Sequence, residues 1–111
     1  MRALILLACL VLTGCGSQST FDQERWRNAD LETRERANMV ASLLEEHPLK
    51  GMDRSEVVAL LGPPTPTDKW EGTEMIYVLG PDGGLMAIDH EWLLIELDQQ
   101  GRVSAYRVVS D

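Results

Sequence analysis

The chain has 111 residues, 18 of them acidic and 10 basic, for a formal charge of −8 at pH 7. A chain of this length makes one small domain. Its acidity argues against nucleic acid and against an anionic lipid surface, since both need a basic patch. Its two cysteines are too few for a disulfide framework or a zinc cluster.

Met1-Arg2 gives a minimal basic start, and Ala3 to Leu12 (ALILLACLVL) is an unbroken apolar run. The run is too short to span a bilayer and fits the apolar part of a secretory signal. It ends in Leu12-Thr13-Gly14-Cys15, which resembles the lipobox of bacterial lipoproteins. Small residues before the cysteine let the extended chain enter the signal peptidase. The Cys15 thiol is the nucleophile that takes diacylglycerol as a thioether. Cleavage after Gly14 frees an amine for a third acyl chain. The alternative is an ordinary signal peptide that happens to hold a cysteine. Residues 1–14 are therefore read as a lipoprotein signal peptide and Cys15 as the lipidation site. Cys9 falls in the removed part, so the mature chain keeps no thiol for a disulfide. The mature chain has 97 residues, and losing Arg2 leaves 9 bases against 18 acids, a charge of −9. Membrane attachment is then expected from the acyl chains, at about 0.8 kcal/mol per buried CH₂. Gly16 and Ser17 stand where an aspartate commonly retains lipoproteins at the inner membrane. The expected location is the outer membrane, facing the periplasm.

Residues 15–22 read as a lipidated tether. Phe21 to His47 reads as helix, the core of an N-terminal helical unit at 23–48. Its first part is dense in charge, with Asp30/Arg34 and Glu32/Arg36 at i,i+4 spacing. Its second part carries Met39, Val40, Leu43 and Leu44 on one face. Pro48 ends the helix. Met52 to Leu61 is a second helix, with Asp53 and Glu56 as a capping box, Val57, Leu60 and Leu61 as its apolar stripe, and Gly62-Pro63-Pro64 as its stop.

The rest reads as sheet. Strands are expected over Glu74–Leu79, Glu91–Leu97 and Arg102–Val109, with a Gly-rich loop over 80–89 and a turn at Asp98–Gly101. Leu93, Ile95 and Leu97 share one strand face, expected toward the helices, and Trp92 and Leu94 share the other with Glu96. The expected fold class is α+β: two N-terminal helices packed on a three-stranded antiparallel meander, ααβββ, with residues 49–111 as an αβββ core.

The run Leu49-Lys50-Gly51-Met52-Asp53 through Val57 to Leu60-Leu61-Gly62-Pro63-Pro64, the strand bearing Tyr77, and the hairpin Leu93-Ile95-Leu97-Asp98…Gly101-Arg102-Val103 resemble one family's pattern. This is the family of small outer-membrane lipoproteins called SmpA/OmlA or BamE. The resemblance covers residues 49–109 plus the lipobox. It implies an ααβββ fold shared with the repeats of β-lactamase-inhibitor proteins. It also implies a partner in the envelope, in β-barrel assembly or envelope integrity. The loop Gly80–His90 departs from the family pattern, as does the acidic, Trp-bearing stretch 68–72.

The search for chemistry gives little. Asp89-His90-Glu91 is the densest polar group, but in an extended segment His90 points away from both neighbours, so no metal site is expected. Ser55 and Ser104 have no evident base partner. Gly80 to Gly84 lacks the Lys-Ser/Thr end of a phosphate loop, and no cofactor is expected. Trp70, Trp92 and Tyr77 either fill core or line a groove. Leu85, Met86 and Ile88 sit in a Gly-rich loop, where large apolar residues either fold back over the sheet or dock a partner. The expected partner-binding residues are Leu85, Met86, Ile88 and Trp92, with the sheet face around Trp92 and Tyr106 as second choice. The expected function is non-enzymatic: a lipid-anchored adaptor for another envelope protein. The alternative is an inhibitor or ligand-binding module on the same fold.

Overall fold

The computed structural model describes residues 18–84 and 89–111; the signal segment, Cys15, Leu85, Met86 and Ile88 lie outside them. The chain runs α1 (Gln23–Arg27), α2 (Glu35–Glu46), α3 (Arg54–Leu61), β1 (Met75–Pro81), β2 (His90–Leu97) and β3 (Val103–Ser110). The three strands form one antiparallel sheet in the order β1-β2-β3. The α+β class and the meander agree with the sequence reading.

The first expected helix is two helices. Asp22 caps α1 by accepting from the Arg25 N–H, and Trp26 is buried. The chain then leaves the helical path. Asp30 accepts the Glu32 N–H on its side chain and the Thr33 N–H and hydroxyl on its carbonyl. These local bonds compete with a helix ladder. The break also solves a packing problem. Trp26 and Met39 are both buried, yet in one continuous helix they would point about 140° apart. A turn between them aims both inward. The Asp30/Arg34 and Glu32/Arg36 pairs expected from the spacing therefore do not form. Arg34 pairs with Glu91 at 3.6 Å instead, and Arg36 turns inward.

The α2 helix buries Met39, Val40 and Leu43, and its His47 N–H still bonds to the Leu43 carbonyl as Pro48 ends it. The α3 helix has the full capping box: the Asp53 carboxylate accepts the Glu56 N–H at 2.9 Å and the Glu56 carboxylate accepts the Asp53 N–H at 2.9 Å. It stops at Gly62, whose φ of 83° favours glycine. Val57 and Leu61 are buried, and Leu60 and Met52 are half-buried against the same core.

The sheet has two apolar faces. In register, Met75 faces Ile95 and Tyr77 faces Leu93, and these side chains join the three helices in the main core. On the other face Ile76, Val78, Trp92 and Leu94 form a second, smaller core, with Trp70 and Val109 packed against it. Trp70 sits at a φ of +60°, unusual for a non-glycine residue, and its ring meets Trp92 edge-on at 6.5 Å. The acidic stretch singled out in the sequence thus belongs to the loop that carries Trp70 onto the sheet. Lys69 fastens that loop to Asp111 at 3.3 Å.

Candidate docking surface

The Asp111 carboxylate accepts the His90 N–H at 2.8 Å, and this bond holds its pKa below the usual 3.8. Asp111 also donates its own N–H to the His90 carbonyl. That second bond sets the phase of the β2–β3 ladder, because hydrogen-bonded pairs alternate in an antiparallel pair. With Trp92 opposite Val109 and Leu94 opposite Arg107, Val109 and Arg107 turn their backbone groups toward β2. Tyr106, Val108 and Ser110 turn theirs outward, along the far edge of the sheet. Among the described residues, only the start of that edge is occupied. The Val103 N–H bonds to the Met52 carbonyl, and the Gly51 N–H to the Val103 carbonyl.

Side chains make the same edge apolar. Tyr106 faces Ile95 and Val108 faces Leu93, so both lie on the helix side. The helices crowd over β1, however: α2 packs against it, and no comparable packing reaches β3. Tyr106 and Val108 stay 37% and 41% exposed. On the other side of the strand, Arg107 reaches Glu96 at 3.2 Å, with both side chains largely exposed. From Arg102 to Ser110 there are two arginines and no acid.

The opposite edge, β1, is closed. Thr65 donates its N–H to the Ile76 carbonyl at 2.8 Å, and its hydroxyl accepts the Val78 N–H at 3.0 Å. The Arg36 guanidinium donates to the Val78 carbonyl at 3.2 Å and to the Trp26 carbonyl at 2.9 Å. It lies 4.9 Å over the Trp26 ring and is only 8% exposed. Burial pushes its pKa down from the usual value. Arg34 donates to the Pro81 carbonyl at the end of the strand. Behind this edge the Tyr77 hydroxyl donates to the Gly62 carbonyl at 2.8 Å, and burial pushes its pKa up to about 12.

The residues expected to dock a partner are dispersed. Leu85, Met86 and Ile88 are outside the described residues; the neck of their loop is closed by the Asp82 N–H on the Asp89 carbonyl at 3.0 Å. Trp92 is 7% exposed and belongs to the second core. The grouping of Trp92 with Tyr106 on one face is corrected by the register, which puts Trp92 opposite Val109 and Tyr106 opposite Ile95. His90 is exposed beside the Trp92 ring at 6.3 Å. Among the described residues no three His, Cys, Asp or Glu side chains are placed to hold one metal ion, and no helix is long and apolar enough to cross a membrane. Concavities around Asp22, Glu24 and Arg25 are open and lined by charge.

The tether has a defined exit. The Ser19 N–H bonds to the Asn38 carbonyl and the Phe21 N–H to the Ser42 hydroxyl, so the N-terminal segment lies along α2, on the β1 side of the sheet. The β3 edge is two strands away, about 10 Å at the usual spacing. Compared with known proteins, the chain matches no family model, no curated protein and no solved structure.

Proposed function

We propose that this chain is a lipid-anchored envelope adaptor of the SmpA/OmlA (BamE-like) kind, acylated at Cys15 and held at the outer membrane with its domain in the periplasm. The observation that carries this reading is Leu12-Thr13-Gly14-Cys15 directly behind the ten-residue apolar run. The finer fold assignment, an ααβββ unit like the β-lactamase-inhibitor repeats, is part of the proposal. It is supported by the order of elements from the capping box at Asp53 through the hairpin turn at Gly101. The adaptor works without chemistry of its own. It presents a rigid sheet to another envelope protein, within β-barrel assembly or envelope integrity. From Cys15, the few residues to Ser19 allow a reach of only roughly 15 Å, so the domain stays close to the membrane surface.

The test has two parts. Radiolabelled palmitate should enter the wild-type chain and not Cys15→Ser; label in the variant would overturn the anchoring. In-cell cross-linking of the lipidated chain should recover β-barrel assembly components. Recovery of one soluble enzyme instead would replace the adaptor by an inhibitor.

A further inference from the structure

We propose that the open β3 edge accepts an extended strand of the partner protein, a strand that alternates apolar and acidic residues. This rests on the adaptor reading above and names its docking surface. The backbone groups of Tyr106, Val108 and Ser110 point outward by the phase of the β2–β3 ladder and meet no backbone partner among the described residues. A strand added there satisfies those groups, and alternate side-chain contacts set its specificity. On the helix side it meets Tyr106 and Val108, so it places apolar residues there. On the other side it meets Arg107, so it places an acid there. The Arg107–Glu96 pair is exposed, and exchanging such a pair for a new one costs little.

Charge separates this occupant from the others. The open stretch Tyr106–Ser110 carries one charged side chain, Arg107, and no acid, so the local counter-charge offered to an added strand is for an acid opposite Arg107. A second copy fits poorly. Pairing Tyr106 against Val108 about a two-fold axis sets Arg107 directly against its copy, and like charges opposed in this way repel. Centring the pair on Tyr106 brings Ser110 against Arg102, whose edge is already bridged to Asp53. Centring it on Val108 leaves a short match between two molecules of −9 charge. The edge lies two strands from the point where Ser19 meets α2.

The probe is a nine-residue, terminally blocked peptide of alternating valine and aspartate, titrated into the mature lipidated chain in detergent micelles and followed by amide NMR shifts. Saturable shifts centred on Tyr106, Val108 and Ser110 are expected. Replacing aspartate by lysine in the peptide should weaken binding roughly tenfold, and Arg107→Glu should reverse that preference. Val108→Pro should abolish binding, because it removes an outward N–H that the fold does not use. If that variant melts early, a peptide N-methylated on alternate residues tests the same bond on the unmutated chain and should not bind. Equal binding of the aspartate and lysine peptides would overturn the proposal, as would shifts confined to other strands or self-association through β3. If cross-linking recovers the envelope partner equally from wild type and Val108→Pro, the edge is excluded and the adaptor reading stands. If the peptide binds but no envelope partner is recovered, the edge is upheld and the adaptor reading fails.

Discussion

Along the β1 edge, the Ile76 carbonyl and both backbone groups of Val78 meet Thr65 or Arg36. Along the β3 edge, the matching groups of Tyr106, Val108 and Ser110 meet no backbone group among the described residues. An unpaired edge is a template for another strand, and natural proteins blunt edges they do not use. Here one edge is sealed by a buried arginine, a threonine and a helix-to-helix turn. Among the described residues, the other is covered only at Val103. The contrast teaches that, among the described residues, the fold spends side chains and a turn on closing β1 and none on closing β3 beyond Val103.

The comparison can be broken most severely at Gly80. Its φ is +122°, and a Cβ there would overlap the Thr33 carbonyl oxygen, so the turn between α1 and α2 can close on β1 only against glycine. Gly80→Ala should cost at least about 3 kcal/mol by forcing that turn off the strand. A denaturant titration with an unchanged midpoint would show that the turn does not press on β1.

Arg36→Met tests the seal itself. The substitution keeps an apolar stem over Trp26 but leaves the Val78 carbonyl without its donor, while the Trp26 carbonyl keeps only the longer bond from the backbone after α1. A loss of about 1–3 kcal/mol is expected. The same substitution should make the β1 edge competent to pair, seen as sedimentation that depends more steeply on concentration than that of wild type.

Behind the sealed edge, Tyr77 gives a pH signature. Its pKa is raised from 10 to about 12 by burial, so the folded state holds the neutral phenol more firmly than the unfolded state. That contribution is complete below pH 10 and is lost as pH rises toward 12. Tyr77→Phe should remove the bond to the Gly62 carbonyl, cost about 1 kcal/mol at neutral pH, and flatten the alkaline decline in melting temperature. An equally steep decline in the variant would assign it to other groups.

The smallest effect is expected at Val108. Because its N–H points away from β2, Val108→Pro should change stability by less than about 1 kcal/mol. Moving the proline one position to Val109, whose backbone faces Trp92, should be far worse. Equal melting of the two variants would mean that the ladder phase is wrong.

Much of the fold was legible because its signals are local. The capping box at Asp53 and Glu56, the stop at Gly62 and the turn before Gly101 each act within a few residues. The parity of Leu93 and Ile95 was readable too, since alternate side chains share a face. The candidate site was less legible. Leu85, Met86 and Ile88 stood out in the sequence and lie outside the described residues, while Tyr106 and Val108 read as ordinary strand positions. Trp92 invites a surface reading as an aromatic, but Trp70 covers it from a loop that no periodicity announces.

What the amino-acid order determined by itself was the set of elements and their inward faces: helix caps, strand alternation and turns depend on neighbours a few positions apart. The tertiary structure alone decided three further things. The helix expected from Phe21 to His47 broke after Arg27, because Trp26 and Met39 had to enter one core. Arg36 left its expected surface pair to seal a strand 42 residues away. One sheet edge was closed and the other left open, because the helices gather over β1. Each depends on distances between residues far apart in the chain, which local spacing does not encode.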